Sequence, residues 1–439
     1  MPTNGLIVFA PIKPGHEHRL RELLNPIGND INGRRMATPR PHIDFTRSKT
    51  VHFARMAICD DLDHGPDRKR LLLATDYDGD LATHINDLWH ITTDPEAIWR
   101  CCEGFEGEAS FIRFIHERSV KPQVYYLAFP GWTAKQIKEG ELLRKRLEAW
   151  LHTPEARALA GAVGPFDAST VWARLAQAAE GALEKAGQAA GTAATITTTG
   201  LDALGIMARL GPLHAINAAR QINASIERVP WIRLFNTLTW NKMPAPKHRY
   251  STAPLDTLAD CEPAEAGDEV VSHSAWSGVP SEDLVSQNQL TLITVIRPGN
   301  AGRLQAVLAM IDLYARRLSP PGQLVGISTI HTVRWAIIDN GRRFLMLSNY
   351  DGTWESYIDE FAELIPSGLN ALWDTSLGFP DAGSQDVAAL KHFLRCHQVP
   401  ANVFYCAYPT ATVQNIVEND RVAKALRRRL GGLQDIYRQ

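Results

Sequence analysis

The feature that most constrains this chain is that it carries the same ordered set of motifs twice. Ile12-Lys13-Pro14-Gly15 with Arg19-Leu20 returns as Ile296-Arg297-Pro298-Gly299 with Arg303-Leu304, 284 residues later. Thr50-Val51 returns as Thr332-Val333 at 282, and Tyr77-Asp78-Gly79 as Tyr350-Asp351-Gly352 at 273. Trp99 with Gly104-Phe105 matches Trp373 with Gly378-Phe379 at 274, and Tyr125 to Pro130 matches Phe404 to Pro409 at 279. The order is kept and the offsets change only in loop-like places, so the duplication sets the architecture.

Each copy reads as the same series of elements. Leu6 to Ala10 and Leu290 to Ile296 are short apolar runs, hence strands, stopped by Pro-Gly. Helical spacing begins at Arg19 and Leu304. Val51 to Ile58 with Leu71 to Thr75, and Val333 to Ile338 with Phe344 to Ser348, are strand pairs. Helices follow at Leu81 to Trp89 and Ala109 to Glu117, and at Trp354 to Leu364 and Val387 to Cys396. Val124 to Phe129 and Val403 to Tyr408 are last strands, and Ala134 to Trp150 and Val413 to Leu430 closing helices. The order β-α-β-β-α-β is the ferredoxin-like arrangement. Val124, Tyr126 and Ala128 alternate with Tyr125, Leu127 and Phe129, and both sets are apolar or aromatic. A sheet with two apolar faces needs cover on both. The expected fold is therefore α+β: tandem ferredoxin-like repeats packed as an intramolecular dimeric α+β barrel, with an inserted helical segment. Two repeats side by side, covered by the middle of the chain, is the alternative.

The expected boundaries are 1–152 and 287–439 for the repeats, 153–243 for a helical insertion and 244–286 for a linker or long loop. The insertion is rich in Ala, Gly and Thr, with Val171, Leu175, Leu183, Leu201 and Leu204 at helical spacing. Arg228 to Trp240 is its most aromatic part, suited to docking on the barrel or lying on a membrane surface. No run reaches the roughly 18 apolar residues of a membrane span. Net charge is -2 with no basic run, which argues against nucleic acid. None of the six cysteines forms a C-x-x-C pair, so reduced thiols in a cytoplasmic protein are expected. The first residues lack the pattern of a signal peptide.

The candidate chemistry sits on the repeated strands. With side chains alternating, His52 shares a face with Ala54 and Met56, and Arg55 takes the other with Phe53. Alignment at 282 sets Arg334 opposite His52, a base and an anion stabiliser that would converge on a cavity between the sheets. The plainer reading is a hydrogen-bonded histidine and a salt-bridged arginine. Asp78 and Asp351 precede glycine at a strand-to-helix turn, where a carboxylate either caps the following helix or joins the chemistry. His116 and His397, near helix ends, are candidate haem ligands. His16-Glu17-His18 lacks a third metal ligand, and Cys101-Cys102 reads as packed thiols. No Walker A loop, dinucleotide fingerprint, G-x-S-x-G or H-E-x-x-H is present.

The motifs I-K-P-G-x-x-x-R-L, T-V-H-F-A-R, Y-D-G and W-x-x-C-E-G-F resemble those of a group of uncharacterised bacterial two-repeat proteins. More remotely, the architecture is similar to the dimeric α+β barrel superfamily, which includes the haem-binding dye-decolorising peroxidases. That resemblance implies a peroxidase-like oxidoreductase, with haem as cofactor, using a cavity between the repeats. The G-x-x-D-G motif of those peroxidases is not matched by Ala74-Thr75-Asp76-Tyr77 or Leu347-Ser348-Asn349-Tyr350, so no catalytic residue carries over by motif. The alternative function is a non-catalytic protein that binds a small apolar molecule, a partner protein or a membrane surface through the middle segment.

Overall fold

A computed structural model describes residues 3–32, 41–62, 65, 67–151, 287–317 and 319–430. The expected insertion at 153–243 and linker at 244–286 lie outside the described residues. Within them the protein is mixed α+β, with two four-stranded antiparallel sheets and ten α-helices. The first half holds β1 (Thr3–Pro11), α1 (Glu17–Asn32), β2 (Val51–Asp60), β3 (Lys69–Asp78), α2 (Leu81–Ile91), α3 (Pro95–Trp99), α4 (Phe111–Glu117), β4 (Val124–Leu127) and α5 (Ala134–Leu151). The second holds β5 (Gln287–Val295), α6 (Ala301–Arg317), β6 (Ile330–Ile338), β7 (Arg343–Asp351), α7 (Trp354–Leu364), α8 (Pro366–Trp373), α9 (Val387–Cys396), β8 (Val403–Cys406) and α10 (Val413–Leu430). The closing helices α5 and α10 pack against each other. Among the described residues, no helix is long and apolar enough to cross a membrane.

The strand orders are β1-β3-β2-β8 and β4-β6-β7-β5. Each half thus sends its last strand into the other half's sheet. Val124 of β4 lies opposite Trp335 of β6, and Val403 of β8 opposite Met56 of β2. The exchange carries core residues with it. Val124 and Tyr126 are buried among α6, α7 and β6, while Val403 and Tyr405 are buried among β2, β3 and the helices of the first half.

The sheets stack face to face without closing into a barrel, which corrects that part of the expected fold. The exchanged strands are only four residues long. The outer edges of β1 and β5 meet single bridges at Ser119 and Gln398 instead of a further strand. Side chains, not backbone ladders, join the sheets. Ile7, Leu72 and Ala74 of one sheet and Leu345, Leu347 and Ala336 of the other form one buried cluster. Burying each large apolar side chain there is worth roughly 1.5–3 kcal/mol. At one end Arg70 of β3 forks onto Asp339 beyond β6, at 2.6 and 3.1 Å, and Arg343 joins the same carboxylate.

The outer faces are covered by helices whose ends are readable. Asp80, Thr353 and Asp386 cap α2, α7 and α9. Helices α3 and α8 are absent from the periodicity reading because they are too short to show one. Their local signal is proline in the first turn, Pro95 and Pro366.

On the outer face, Tyr77 stacks on His84 at 3.8 Å, and Tyr350 on Tyr357 at 3.9 Å. His84 Nε2 bonds to Thr75 Oγ1 at 2.8 Å, and Tyr357 Oη to Ser348 Oγ at 2.6 Å. The His84 Nδ1 is buried without a partner. Burial pushes the imidazole pKa down from 6.5 to about 3. The unfolded chain then binds a proton that the folded chain refuses. Stability from this site is complete above pH 6.5 and falls as pH drops toward 3, by about 2 kcal/mol at pH 5. His84→Tyr, copying Tyr357, is expected to flatten that slope. Urea unfolding of both proteins at pH 7 and pH 5 measures it, and an unchanged slope would refute the assignment.

Candidate functional site

The centre of the molecule is a polar layer between the two sheets. In β2 the pairing with β3 slips between Val51 and Phe53, leaving His52 as the extra residue of a bulge. In β6 the same slip between Ile330 and Thr332 isolates His331. Arg55 lies opposite Ala74 and Arg334 opposite Leu347, residues 273 apart in β3 and β7. The two copies of this strand are therefore related by 279, not 282. The counterpart of His52 is His331, and that of Arg55 is Arg334. Pairing His52 with Arg334 is thereby corrected. The bulge also breaks the alternation that placed His52 beside Ala54 and Met56.

His52 is fully buried, with Nε2 3.0 Å from Asp78 Oδ1 and Nδ1 2.9 Å from Tyr408 Oη. Burial works to raise the Asp78 carboxyl. The bond and charge of His52, the Ala134 N–H at 2.8 Å and the Thr3 hydroxyl at 2.9 Å outweigh it and hold the group below the usual carboxylate range. An ionised Asp78 accepts a hydrogen bond from Nε2–H, so Nδ1 accepts from Tyr408. Burial pushes the Tyr408 phenol well up, which keeps it the donor. On the other side His331 Nε2 lies 2.7 Å from Asp351 Oδ1, and Val413 N–H donates to Asp351 Oδ2 at 2.7 Å. Here Phe129 stands where Tyr408 stands, at the 279 offset, and His331 Nδ1 is buried without a partner.

Asp78 and Asp351 do accept backbone N–H groups, but from α5 and α10, far away in sequence. The helices directly after them are capped by Asp80 and Thr353. The expected cap on the directly following helix is thereby corrected: both carboxylates sit at the start of a later helix.

Arg55 and Arg334, each 1% exposed, cross between the sheets in opposite directions. Arg55 donates to Leu290 O at 2.9 Å, Ser348 O at 2.8 Å, Gln289 Oε1 and Thr291 Oγ1 at 3.0 Å, and to Asn349. Arg334 donates to Leu6 O at 2.7 Å and Thr75 O at 3.0 Å, with Asp76 Oδ2 at 3.4 Å. A Cβ on Gly5 would stand 3.0 Å from Arg334 Cδ, so glycine there lets the side chain pass. Burial, then the neighbouring Arg334, push the Arg55 pKa down to about 9, against the pull of Asp76. At neutral pH it remains a cation.

The structure brings His52, Arg55, Arg334, Asp78 and Asp351 into this layer together with His331, Tyr408 and Asp76, which sequence reasoning missed. The legible signal was H-x-x-R, present as His52-Phe53-Ala54-Arg55 and His331-Thr332-Val333-Arg334. The Thr-Val coincidence three residues out of phase hid it. His116 and His397 do not join. His116 is exposed on α4, and His397 Nδ1 is 2.8 Å from Phe393 O at the end of α9. Cys101 and Cys102 are free buried thiols, and no cluster of three metal-ligating side chains occurs among the described residues. Three apolar voids under the described helices hold about 30–40 Å³ each, against the roughly 300 Å³ or more of a cofactor-sized pocket.

By fold and site the protein is an α+β chain with two strand-exchanged sheets sealed by a reciprocal His–Asp and arginine layer. No protein-family profile, curated protein or solved structure matches it.

Proposed function

We propose that the duplicated core is a non-catalytic frame of two tandem ferredoxin-like repeats. Recognition of an apolar molecule, a partner protein or a membrane surface then belongs to the segment 153–243 that the frame carries. One observation carries this reading. Four of the side chains with catalytic potential are closed to solvent and committed to protein partners: His52 on both nitrogens, Asp78 on both oxygens, and both arginines on backbone carbonyls of the opposite sheet. A substrate would have to displace bonds that hold the halves together. Cys59, Cys101 and Cys102 are free thiols, which supports a cytoplasmic setting.

The haem peroxidase reading makes the opposite forecast. Titrating the full chain with haem is expected to give no protein-bound Soret band and no peroxide-dependent dye oxidation beyond that of free haem. A stoichiometric complex with a histidine-ligated spectrum would overturn the frame reading. For the membrane arm, the chain is floated with vesicles of phosphatidylcholine and phosphatidylglycerol, with and without residues 153–243. Flotation lost on deletion supports surface binding by that segment, and no flotation removes membranes from its partners.

A further inference from the structure

One of the differences between the two halves at the centre is a single hydroxyl. Phe129 and Tyr408 occupy corresponding places, 279 residues apart, and both are buried. Phenylalanine serves in one half, so packing alone does not ask for the oxygen. In the other half the phenol meets an imidazole nitrogen at 2.9 Å, and the far side of that imidazole meets Asp78 at 3.0 Å. The buried Tyr357 hydroxyl, by contrast, meets a serine.

We propose that Tyr408 is a reversibly oxidisable tyrosine with His52 as its proton acceptor. The reaction partner is an outer-sphere one-electron oxidant arriving at Trp132. A phenol that loses an electron becomes a very strong acid, and a bare phenol cation in an apolar interior is prohibitively unstable. Oxidation therefore needs a base aligned on the O–H beforehand. The electron leaves to the oxidant and the O–H proton moves to His52 Nδ1. The products are a neutral phenoxyl radical and an imidazolium whose Nε2–H still faces the Asp78 carboxylate. The new positive charge thus forms beside a fixed negative one, itself held by Ala134 N–H and Thr3 Oγ1. A one-electron reductant such as a small thiol reverses the step, with the proton returning from His52.

A path of rings connects the site to the surface. Tyr408 lies 5.5 Å from Phe53, Phe53 5.6 Å from His331, His331 5.7 Å from Phe129, and Phe129 stacks on the half-buried Trp132 at 5.9 Å. The intervening rings serve as a tunnelling medium and are not themselves oxidised. Lys424 Nζ sits 5.5 Å over Trp132, with the Asp420 carboxylate 2.5 Å from the same ammonium, so the indole meets a paired charge.

This goes beyond the frame reading and is tested apart from it, because no haem, peroxide or turnover is involved. The full-length protein is photo-oxidised by a ruthenium tris-bipyridine dye with persulfate as electron acceptor, and freeze-quenched for electron paramagnetic resonance. The expected result is a long-lived neutral tyrosyl signal, lost in Tyr408→Phe and formed more slowly in Trp132→Phe. No long-lived tyrosyl signal in the native sequence overturns the proposal, as does an undiminished one in Tyr408→Phe. Should that variant fail to fold, a ring-fluorinated tyrosine placed at 408 decides. Fluorine splitting in the signal supports the assignment, and an unsplit signal overturns it.

Discussion

Neither half of this chain is expected to fold alone. Cut between α5 and β5, residues 1–152 keep β1, β2 and β3 of one sheet but hold β4, which pairs only with β6 of the other. Residues 287–439 keep β5, β6 and β7 and hold an equally orphaned β8. Each fragment would expose an inner sheet face carrying Ile7, Leu72 and Ala74, or Leu345, Leu347 and Ala336, together with one buried arginine stripped of its acceptors. An unpaired strand edge beside an apolar face invites pairing with another chain. Each fragment expressed singly should therefore aggregate or homodimerise. Co-expressed, they should co-purify as a one-to-one complex with the strands exchanged. Analytical ultracentrifugation with denaturant unfolding is the check. A fragment that is monomeric and unfolds cooperatively would contradict the shared core.

Arg334→Met is expected to be the most damaging single substitution in the polar layer, at about 3–5 kcal/mol. It strands the carbonyls of Leu6 and Thr75 and removes the nearest cation from Asp76, which is fully buried. Asn349 Nδ2 at 3.2 Å and Thr332 Oγ1 at 3.4 Å remain, but neither carries charge. Arg55→Met should cost less. Its acceptors are all neutral, since Asn349 stands where the other half has Asp76, and losing a guanidinium pushed down to about 9 also relieves a buried charge. Adding Asp76→Asn to Arg334→Met should then recover on the order of 1–3 kcal/mol through coupling. Guanidinium unfolding at neutral pH with constant m-value reads all four proteins. A loss below about 1 kcal/mol in Arg334→Met, or no recovery in the double variant, would mean that the layer does not hold the sheets together.

Much of this was legible from residues alone, because strand and helix periodicity are local. Val387–Cys396 and Val413–Leu430 are helices over the same residues that the apolar spacing marked, and Asp78 and Asp351 were singled out from a dipeptide. The site was less legible. A bulge adds one residue to a strand without any change of composition. The phase linking His52 to His331 could therefore be recovered only from the hydrogen-bond register. His116 and His397 drew notice as histidines near helix ends, yet their surroundings depend on which helix face meets the sheet.

The sequence by itself determined that two like sets of strands and helices form and that their sheets need apolar cover on both faces. Tertiary structure alone decided that β4 and β8 trade sheets, that the stacked sheets stay open, and that Tyr408 reaches His52 356 residues away. The reason is physical. An apolar strand is content in any sheet that buries it, so its choice of partner rests on long-range contacts. Here those are the crossing arginines and the paired carboxylates, whose partners no local pattern records.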